Sequence, residues 1–331
     1  KRQEKMALSV YYPDPPQGEP LEYLQRSLLP SVTISFDPDI PSPAQYQILV
    51  AGRPTREQVV ASPMLHTLII PWTGVPLQTR ALMLEHQDIE VHNLHHNAPE
   101  TAEMAMALLL AAAKRIVPVD QMLRKGDWTP RYQPNRALLL EGKTALILGY
   151  GEIGRRVAEM CRGLGMRVMA IRRQAGKGGG KDGISIHMSE ALHALLPQAN
   201  ALIICLPLTE ATEGWIGARE LDLLPSDALL VNIGRGPIVD ERALYEALSS
   251  GSLGAAGLDV WYRYPEDEAA RKQTFPSEFP FQSLDNVVMS PHRAGGSTTS
   301  QLRRMEVLVD VLNTAALDKP LPYKVDITLG Y

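Results

Sequence analysis

Two doubly wound α/β domains, each built on its own parallel sheet, are what this 331-residue chain predicts. Three observations carry that expectation. Short β-rich runs alternate with helical patterns along nearly the whole length. The strands of the second half are near-continuous apolar runs, as in a sheet covered on both faces. One of them breaks at a glycine-spaced turn and continues as a helix, in the stretch Lys143-Thr-Ala-Leu-Ile-Leu-Gly149-Tyr-Gly151-Glu-Ile-Gly154-Arg-Arg-Val-Ala158.

Composition narrows the class. With 45 % hydrophobic and 21 % charged residues the chain reads as globular, and its length suffices for two domains. A net charge of −4 gives no electrostatic reason to expect nucleic acid or an anionic membrane surface as partner. The two cysteines, Cys161 and Cys205, lie in apolar settings and read as buried free thiols, which suits a reducing cytoplasm. The opening Lys-Arg-Gln-Glu-Lys leads straight into strand-like sequence, with no secretory pattern. The longest apolar run, 104–113, is too short to span a bilayer.

Taken in order, the first ninety-odd residues offer strands at 7–11, 32–35, 47–51, 67–70 and 89–92, separated by helical or proline-rich spacers. Between the last two, Pro71-Trp-Thr-Gly-Val-Pro76 is a loop suited to presenting backbone amides to a ligand. Pro99 suits a helix start, and Glu100 and Glu103 complement its positive end. The helix that follows, to about Arg115, is apolar nearly all round, as expected of a connector buried on every side between domains. Trp128 and the polar stretch to Arg136 read as a surface crossing. Strands follow at 145–148, 167–171, 201–206, 229–233, 255–258 and 287–289, with helices at 153–164, 189–195 and 241–249. The segment from Ser297 places Leu302, Met305, Leu308 and Leu312 on one helical face and is expected to pack on the first domain.

Each glycine of the turn has a task. Gly149 permits the tight bend, Gly151 lets the backbone approach a pyrophosphate, and Gly154 lets helix pack on strand. The free amides from Glu152 and Ile153 onward, with the helix dipole, form an anion site. A dinucleotide is the implied ligand. A site that prefers NAD usually has an acid ending its second strand, to bind the ribose 2′-hydroxyl. Here that strand ends in Arg172-Arg173, followed by Lys177 and Lys181, which suits a 2′-phosphate. NADP is therefore the expected cofactor, with NAD the alternative.

Beyond the glycine turn stand Leu206-Pro-Leu-Thr209, Val231-Asn-Ile-Gly-Arg-Gly-Pro-Ile-Val-Asp240, Gly257-Leu-Asp-Val260 and Ser290-Pro-His-Arg-Ala-Gly-Gly296. With these ordered motifs the chain, from the connector helix to its end, resembles the D-isomer-specific 2-hydroxyacid dehydrogenases, and in particular their glyoxylate/hydroxypyruvate reductases. The resemblance implies two Rossmann-like or flavodoxin-like domains with the active site in the cleft between them. Residues 1–98 plus 297–331 would form the substrate domain and 99–296 the NAD(P)-binding domain. It also implies hydride transfer between nicotinamide and C2 of a small 2-keto or D-2-hydroxy acid. Arg235 then matches the residue that grips the substrate carboxylate, and His292 the general acid/base. Asp259 matches the residue that holds the nicotinamide carboxamide. Thr101, Leu206, Pro207, Thr209, Ile233, Gly234, Arg235 and His292 would border the cofactor, and Trp72, Gly74 and Val75 the substrate. Relatives are usually dimers built through the nucleotide domain.

Two departures stand out. The family's glutamate that pairs with the histidine is replaced by Tyr264, five residues after Asp259. A phenol does not favour the imidazolium as a carboxylate does, so His292 is expected to titrate near about 6.5, unless Glu266, Asp267 or Glu268 substitutes. His95 and His96 stand where relatives carry Pro-Gly; their spacing offers no metal cage, so no metal is expected. The rival reading is a non-enzymatic dinucleotide sensor of the corepressor type, favoured by the lost glutamate and opposed by Arg235 and His292.

Overall fold

The computed structural model describes residues 7–173 and 183–331; Lys177, Lys181 and the glycine patch at 176–180 lie outside the described residues. The chain divides into two compact units, Lys1–Asn97 with Gly296–Tyr331, and Ala98–Gly295.

In the first unit the strands β1 (Leu8–Tyr11), β2 (Val32–Ser35), β3 (Ile48–Val50), β4 (Thr67–Ile70) and β5 (Glu90–Asn93) form a parallel sheet of order β2-β1-β3-β4-β5. Helices α1 (Glu19–Ser27), α2 (Arg56–Val60) and α3 (Leu77–Leu84) connect them. Alternate residues feed two cores. Leu8, Val10, Ile48 and Val50 face one side, where Leu24 of α1 packs; Tyr11, Leu49, Leu68 and Ile70 face the other, with Val59 and Met83.

The second unit opens with α4 (Ala98–Lys114), α5 (Ile116–Leu123) and α6 (Thr129–Tyr132). There follow β6 (Thr144–Leu148), α7 (Glu152–Gly163), β7 (Arg167–Ile171), β8 (Ser185–His187), α8 (Leu192–Leu195), β9 (Ala201–Ile204), α9 (Ala218–Asp222), β10 (Leu229–Asn232), α10 (Glu241–Ser250), β11 (Ala255–Leu258) and β12 (Val287–Met289). All seven strands are parallel, in the order β12-β11-β10-β9-β6-β7-β8. That is the doubly wound order, whose direction reverses between β6 and β9, the place where open α/β sheets bind ligands. Leu146, Leu148, Leu202 and Ile204 pack on one face; Ala145, Ile147, Ala201 and Ile203 pack on the other with α4 and α7. Asp240 caps α10, its side chain accepting the N–H of Ala243 at 2.8 Å, and Gly251 ends that helix at φ 78°.

The chain then returns to the first unit as α11 (Ser300–Ala316). Met305, Leu308 and Leu312 complete the core that holds Leu8, Val10 and Leu24, whereas Leu302, expected on the same face, is only half-buried and lies outside that core. Asn313 accepts the N–H of Leu29 and donates to the carbonyl of Ser27, fixing α11 against the end of α1.

Three expectations need adjustment. Helix α4 is not buried on every side: Glu103 and Ala107 are exposed, while Ala102, Ala105, Leu109 and Ala112 pack into the second unit. An alanine-rich helix shows no contrast between faces, because an exposed Ala107 sacrifices almost no apolar burial. Strand β9 stops at Ile204 instead of running to 206, which frees Cys205 and the residues after it as a loop. Strand β8 carries no apolar run to mark it, since Ser185-Ile-His187 is a partly exposed edge strand. Among the described residues no helix is long and apolar enough to cross a membrane, and no group of three or more His, Cys, Asp or Glu is placed to hold a metal ion.

Candidate active site

The glycine turn lies where the sheet order reverses. Gly149 leaves β6 at φ 94°, and a Cβ there would come within 2.8 Å of the carbonyl oxygen of Cys205, at the end of β9. A Cβ on Gly154 would stand 1.9 Å from the Gly149 carbonyl. These two glycines are required by packing alone. Gly151 is different: its φ of −89° is ordinary and a Cβ would meet nothing within 4 Å. Its bare face opens onto free space beside the start of α7, where no side chain caps the first amides. The Glu152 carboxylate is paired with Arg155 one turn on, and Ile153 is half-buried. A turn that is closed on the protein side and bare on the other fits a dinucleotide pyrophosphate.

Further along the same sheet edge, the loop from Leu206 to Thr212 is tied by a residue the sequence did not flag. Thr212 Oγ1 donates to the Pro207 carbonyl at 2.8 Å and accepts the N–H of Thr209 at 2.8 Å. A Cβ on Gly234 would lie 2.5 Å from the Leu206 carbonyl, so the turn after β10 packs directly on this loop. Ile233 is buried beside it, and Thr101 is buried on α4. Arg172 follows β7, its N–H bonded to the carbonyl of His187 on β8 at 3.0 Å; Arg172 is half-buried and Arg173 exposed.

Arg235, Asp259 and His292 follow the ends of β10, β11 and β12, three neighbouring strands. Asn232, also unflagged, braces the first of them: its side-chain amide donates to the Arg235 carbonyl at 2.9 Å and its oxygen accepts the Gly234 N–H at 3.0 Å. The Arg235 guanidinium is half-buried, donates to the Gly234 carbonyl and has no acidic partner within ion-pair distance among the described residues. Burial lowers its proton affinity, a cost that an anionic ligand would remove.

Asp259 is fully buried and turned into the His292 loop. One carboxylate oxygen accepts Ser290 Oγ at 2.5 Å and the Arg293 N–H at 3.0 Å; the other accepts the Ala294 N–H at 2.9 Å. Three of its lone pairs are thereby occupied, leaving one on Oδ2 for a cofactor amide. Trp261 adds its indole N–H to the Ser290 carbonyl at 2.8 Å. Burial, then the positive charge of Arg235, lower the His292 pKa below its ordinary value, and Asp259 only partly opposes them. The shift goes further down than the sequence implied.

Tyr264 lies with its ring 5.5 Å from that of His292, tilted at 56°. Its hydroxyl accepts the Trp261 N–H at 3.1 Å and makes no bond to the imidazole. Two of the three nearby acids are engaged elsewhere. Asp267 accepts the N–H of Ala270, and Glu268 pairs with Arg271, both on an exposed turn.

In the first unit, Trp72 is packed against Gly52, where a Cβ would lie 1.8 Å from the indole, and Arg53 sits 5.8 Å from its ring centroid. The loop carrying Gly74 and Val75 is anchored by Thr73, whose hydroxyl shares its one hydrogen between the Asn97 side-chain oxygen at 2.6 Å and the Leu94 carbonyl at 3.1 Å. The His95 ring lies against Tyr323, 5.0 Å between centroids.

Residues 106–294 match the family model "D-isomer specific 2-hydroxyacid dehydrogenase, NAD binding domain". The chain belongs to the D-isomer specific 2-hydroxyacid dehydrogenases. Curated relatives within this family include glyoxylate reductases from Korarchaeum cryptofilum, 36 % identical over 64 % of this chain and 61 % of that protein, and from Aeropyrum pernix, 38 % identical over 67 % and 64 %. The matched part of the chain thus spans less than two thirds of either relative. A D-isomer specific 2-hydroxyacid dehydrogenase from Xanthobacter autotrophicus Py2, solved with NADPH and MES, shares the fold at a TM-score of 0.79 and 24 % identity, over 98 % of this chain and 100 % of that one. An NADPH-dependent glyoxylate/hydroxypyruvate reductase from Sinorhizobium meliloti, solved with NADP and sulfate, does so at 0.78 and 21 %, over 98 % and 100 %.

Proposed function

We propose that the chain is an NAD(P)H-dependent reductase of a small 2-keto acid of the glyoxylate or hydroxypyruvate kind. The observation that carries this reading is the pair at the ends of β10 and β12. A half-buried guanidinium without an acidic partner among the described residues stands in electrostatic contact with a histidine whose loop is latched by Asp259. Arg235 binds the substrate carboxylate through its planar fork. His292 delivers a proton to the C2 oxygen in reduction and accepts it in oxidation. A nicotinamide held there would supply or accept the hydride at C2. Gly149, Gly151, Glu152, Ile153 and Gly154 hold the pyrophosphate, Leu206, Pro207, Thr209, Ile233, Gly234 and Thr101 border the nicotinamide end, and Asp259 offers its last lone pair there. Arg172 and Arg173 support NADP over NAD. Trp72, Gly74 and Val75 remain proposed substrate contacts of the first unit.

The same reading places the protein in the cytoplasm, consistent with two free cysteines, Cys161 buried and Cys205 only half-buried where the sequence suggested both buried, whose thiol pKa values desolvation raises. It also makes the protein a homodimer through the second unit. That unit exposes Ile116, Val119, Leu123, Trp128, Tyr132 and Leu139 within one short stretch, more apolar surface than scattered single residues would give.

Consumption of NADPH and NADH with a panel of 2-keto acids tests the function, beside Arg235→Ala and His292→Ala. Turnover that prefers NADPH and is lost in both variants is the expected result. Tight cofactor binding with no turnover of any acid would instead favour the dinucleotide sensor, the reading to which Tyr264 lends support.

A further inference from the structure

The phenol at 264 is held by the backbone, not by the histidine it touches. Tyr262 and Arg263 N–H groups both bond the Pro276 carbonyl, at 3.2 and 3.0 Å, and the Tyr262 hydroxyl bonds the Val239 carbonyl at 3.0 Å. These bonds set the path of the chain into Tyr264. The Tyr264 oxygen then spends one lone pair on the Trp261 N–H, and among the described residues it donates its own hydrogen to nothing. The ring is tilted against His292 instead of meeting the imidazole nitrogens edge-on. Tyr264 is 45 % exposed.

The charges around it favour an anion. Arg235 is in electrostatic contact with both Tyr264 and His292. Among the described residues, the carboxylate that acts on Tyr264, Asp259, is committed to Ser290, Arg293 and Ala294. The neighbouring Arg293 adds a second cation to the loop. A glutamate at position 264 would present only acceptors to such a site; tyrosine presents a donor.

We propose that the Tyr264 hydroxyl donates a hydrogen bond to the C2 oxygen of the 2-keto acid, on which negative charge develops during reduction, so that it serves as an oxyanion donor beside His292 and not as that residue's partner. The proposal rests on the reductase reading. Burial keeps the phenol protonated by raising its pKa above the usual value, so it donates across the working range without itself giving up the proton. The proton that neutralises the C2 oxygen comes from His292. A donor aimed at developing charge acts on the chemical step more than on substrate binding.

The test compares the intact protein with Tyr264→Phe, Tyr264→Gln and Tyr264→Glu, measuring kcat, KM and the pH profile of keto-acid reduction, with thermal unfolding and NADPH titration as controls of folding. Tyr264→Phe is expected to lower kcat roughly 10²-fold with KM changed little. Tyr264→Gln, which restores an N–H donor, recovers part of that loss. Tyr264→Glu loses the donor but pairs the imidazolium, so its residual activity persists to higher pH by about one unit or more. Wild-type kcat in Tyr264→Phe would overturn the proposal. So would a raised KM at unchanged kcat, since the hydroxyl would then hold the carboxylate. Should Tyr264→Phe fail to fold, Gln and Glu variants of equal, low kcat and identical pH profile would overturn it. If the wild-type protein reduces no 2-keto acid, the reductase reading fails and this assignment with it. Turnover abolished by Arg235→Ala and His292→Ala but indifferent to Tyr264→Phe leaves the reading standing and removes only the assignment.

Discussion

The N–H of His292 donates a 2.7 Å hydrogen bond to the carbonyl oxygen of Asp259, tying the backbone after β12 to the backbone after β11. His292 sits at φ 53°, a left-handed conformation costing roughly 1–2 kcal/mol for a residue with a side chain. The Asp259 carboxylate offsets that strain by accepting three further donors from the same loop.

Asp259→Asn therefore removes more than a charge. An amide has one acceptor oxygen, and its NH₂ group would face a backbone N–H. The expected loss is about 3 kcal/mol of stability, because charge-assisted bonds are replaced by a donor facing a donor. Urea unfolding measures it, and a stability equal to that of the unsubstituted chain would show that the carboxylate is no latch.

The pH dependence of the reaction follows from the lowered pKa of His292. On the proposed reductase reading, reduction needs the imidazolium, whose population falls as pH rises through that value, so kcat/KM for reduction declines at a pH below the ordinary histidine midpoint of about 6.5. Oxidation of the hydroxy acid needs the neutral ring and rises over the same interval. Among the described residues, Arg235, Asp259 and Tyr264 are the charged and titratable groups that face the ring. A reduction rate that stays flat to well above neutrality would contradict this arrangement.

Two of the turn glycines separate packing from ligand binding. Gly154→Ala forces a Cβ to within 1.9 Å of a carbonyl oxygen and should destabilise the second unit by several kcal/mol, roughly the scale of overpacking. Gly151→Ala has room and an ordinary φ. It should unfold like the parent, yet bind NADPH at least about tenfold more weakly, a loss of roughly 1.4 kcal/mol. Calorimetry and fluorescence titration distinguish the two.

Replacing both Arg172 and Arg173 with alanine should weaken NADPH binding by roughly 10- to 100-fold, the worth of one charge-assisted contact. NADH binding should change little. Equal weakening of both cofactors would mean that these arginines do not read a 2′-phosphate.

The sequence reveals most of the framework, because buried parallel strands are short apolar runs and Gly149, Gly151 and Gly154 each answer a steric demand. Strand β8 escapes notice because an edge strand needs no apolar residues, and the buried face of α4 because alanine is apolar on every side. The proposed reactive pair Arg235 and His292 stands in recognisable motifs. What holds the pair does not. Asn232 and Thr212 act through hydrogen bonds to backbone atoms two to five residues away, and Ser290 through one to the Asp259 carboxylate, and nothing in a local pattern distinguishes such residues from ordinary loop polars. The role of Tyr264 shows only once its hydroxyl is seen to rest on Trp261 and not on the imidazole.

The core of the first unit is closed by α11, and Leu29 meets Asn313 across 284 positions of sequence. A nascent chain therefore exposes Leu8, Val10 and Leu24 long before Met305 and Leu308 leave the ribosome. The second unit, continuous in sequence, can complete its fold during that wait. Synthesis thus runs from the inserted unit outward, and the half-made first sheet, with one face bare, is the intermediate most exposed to aggregation and to chaperone capture.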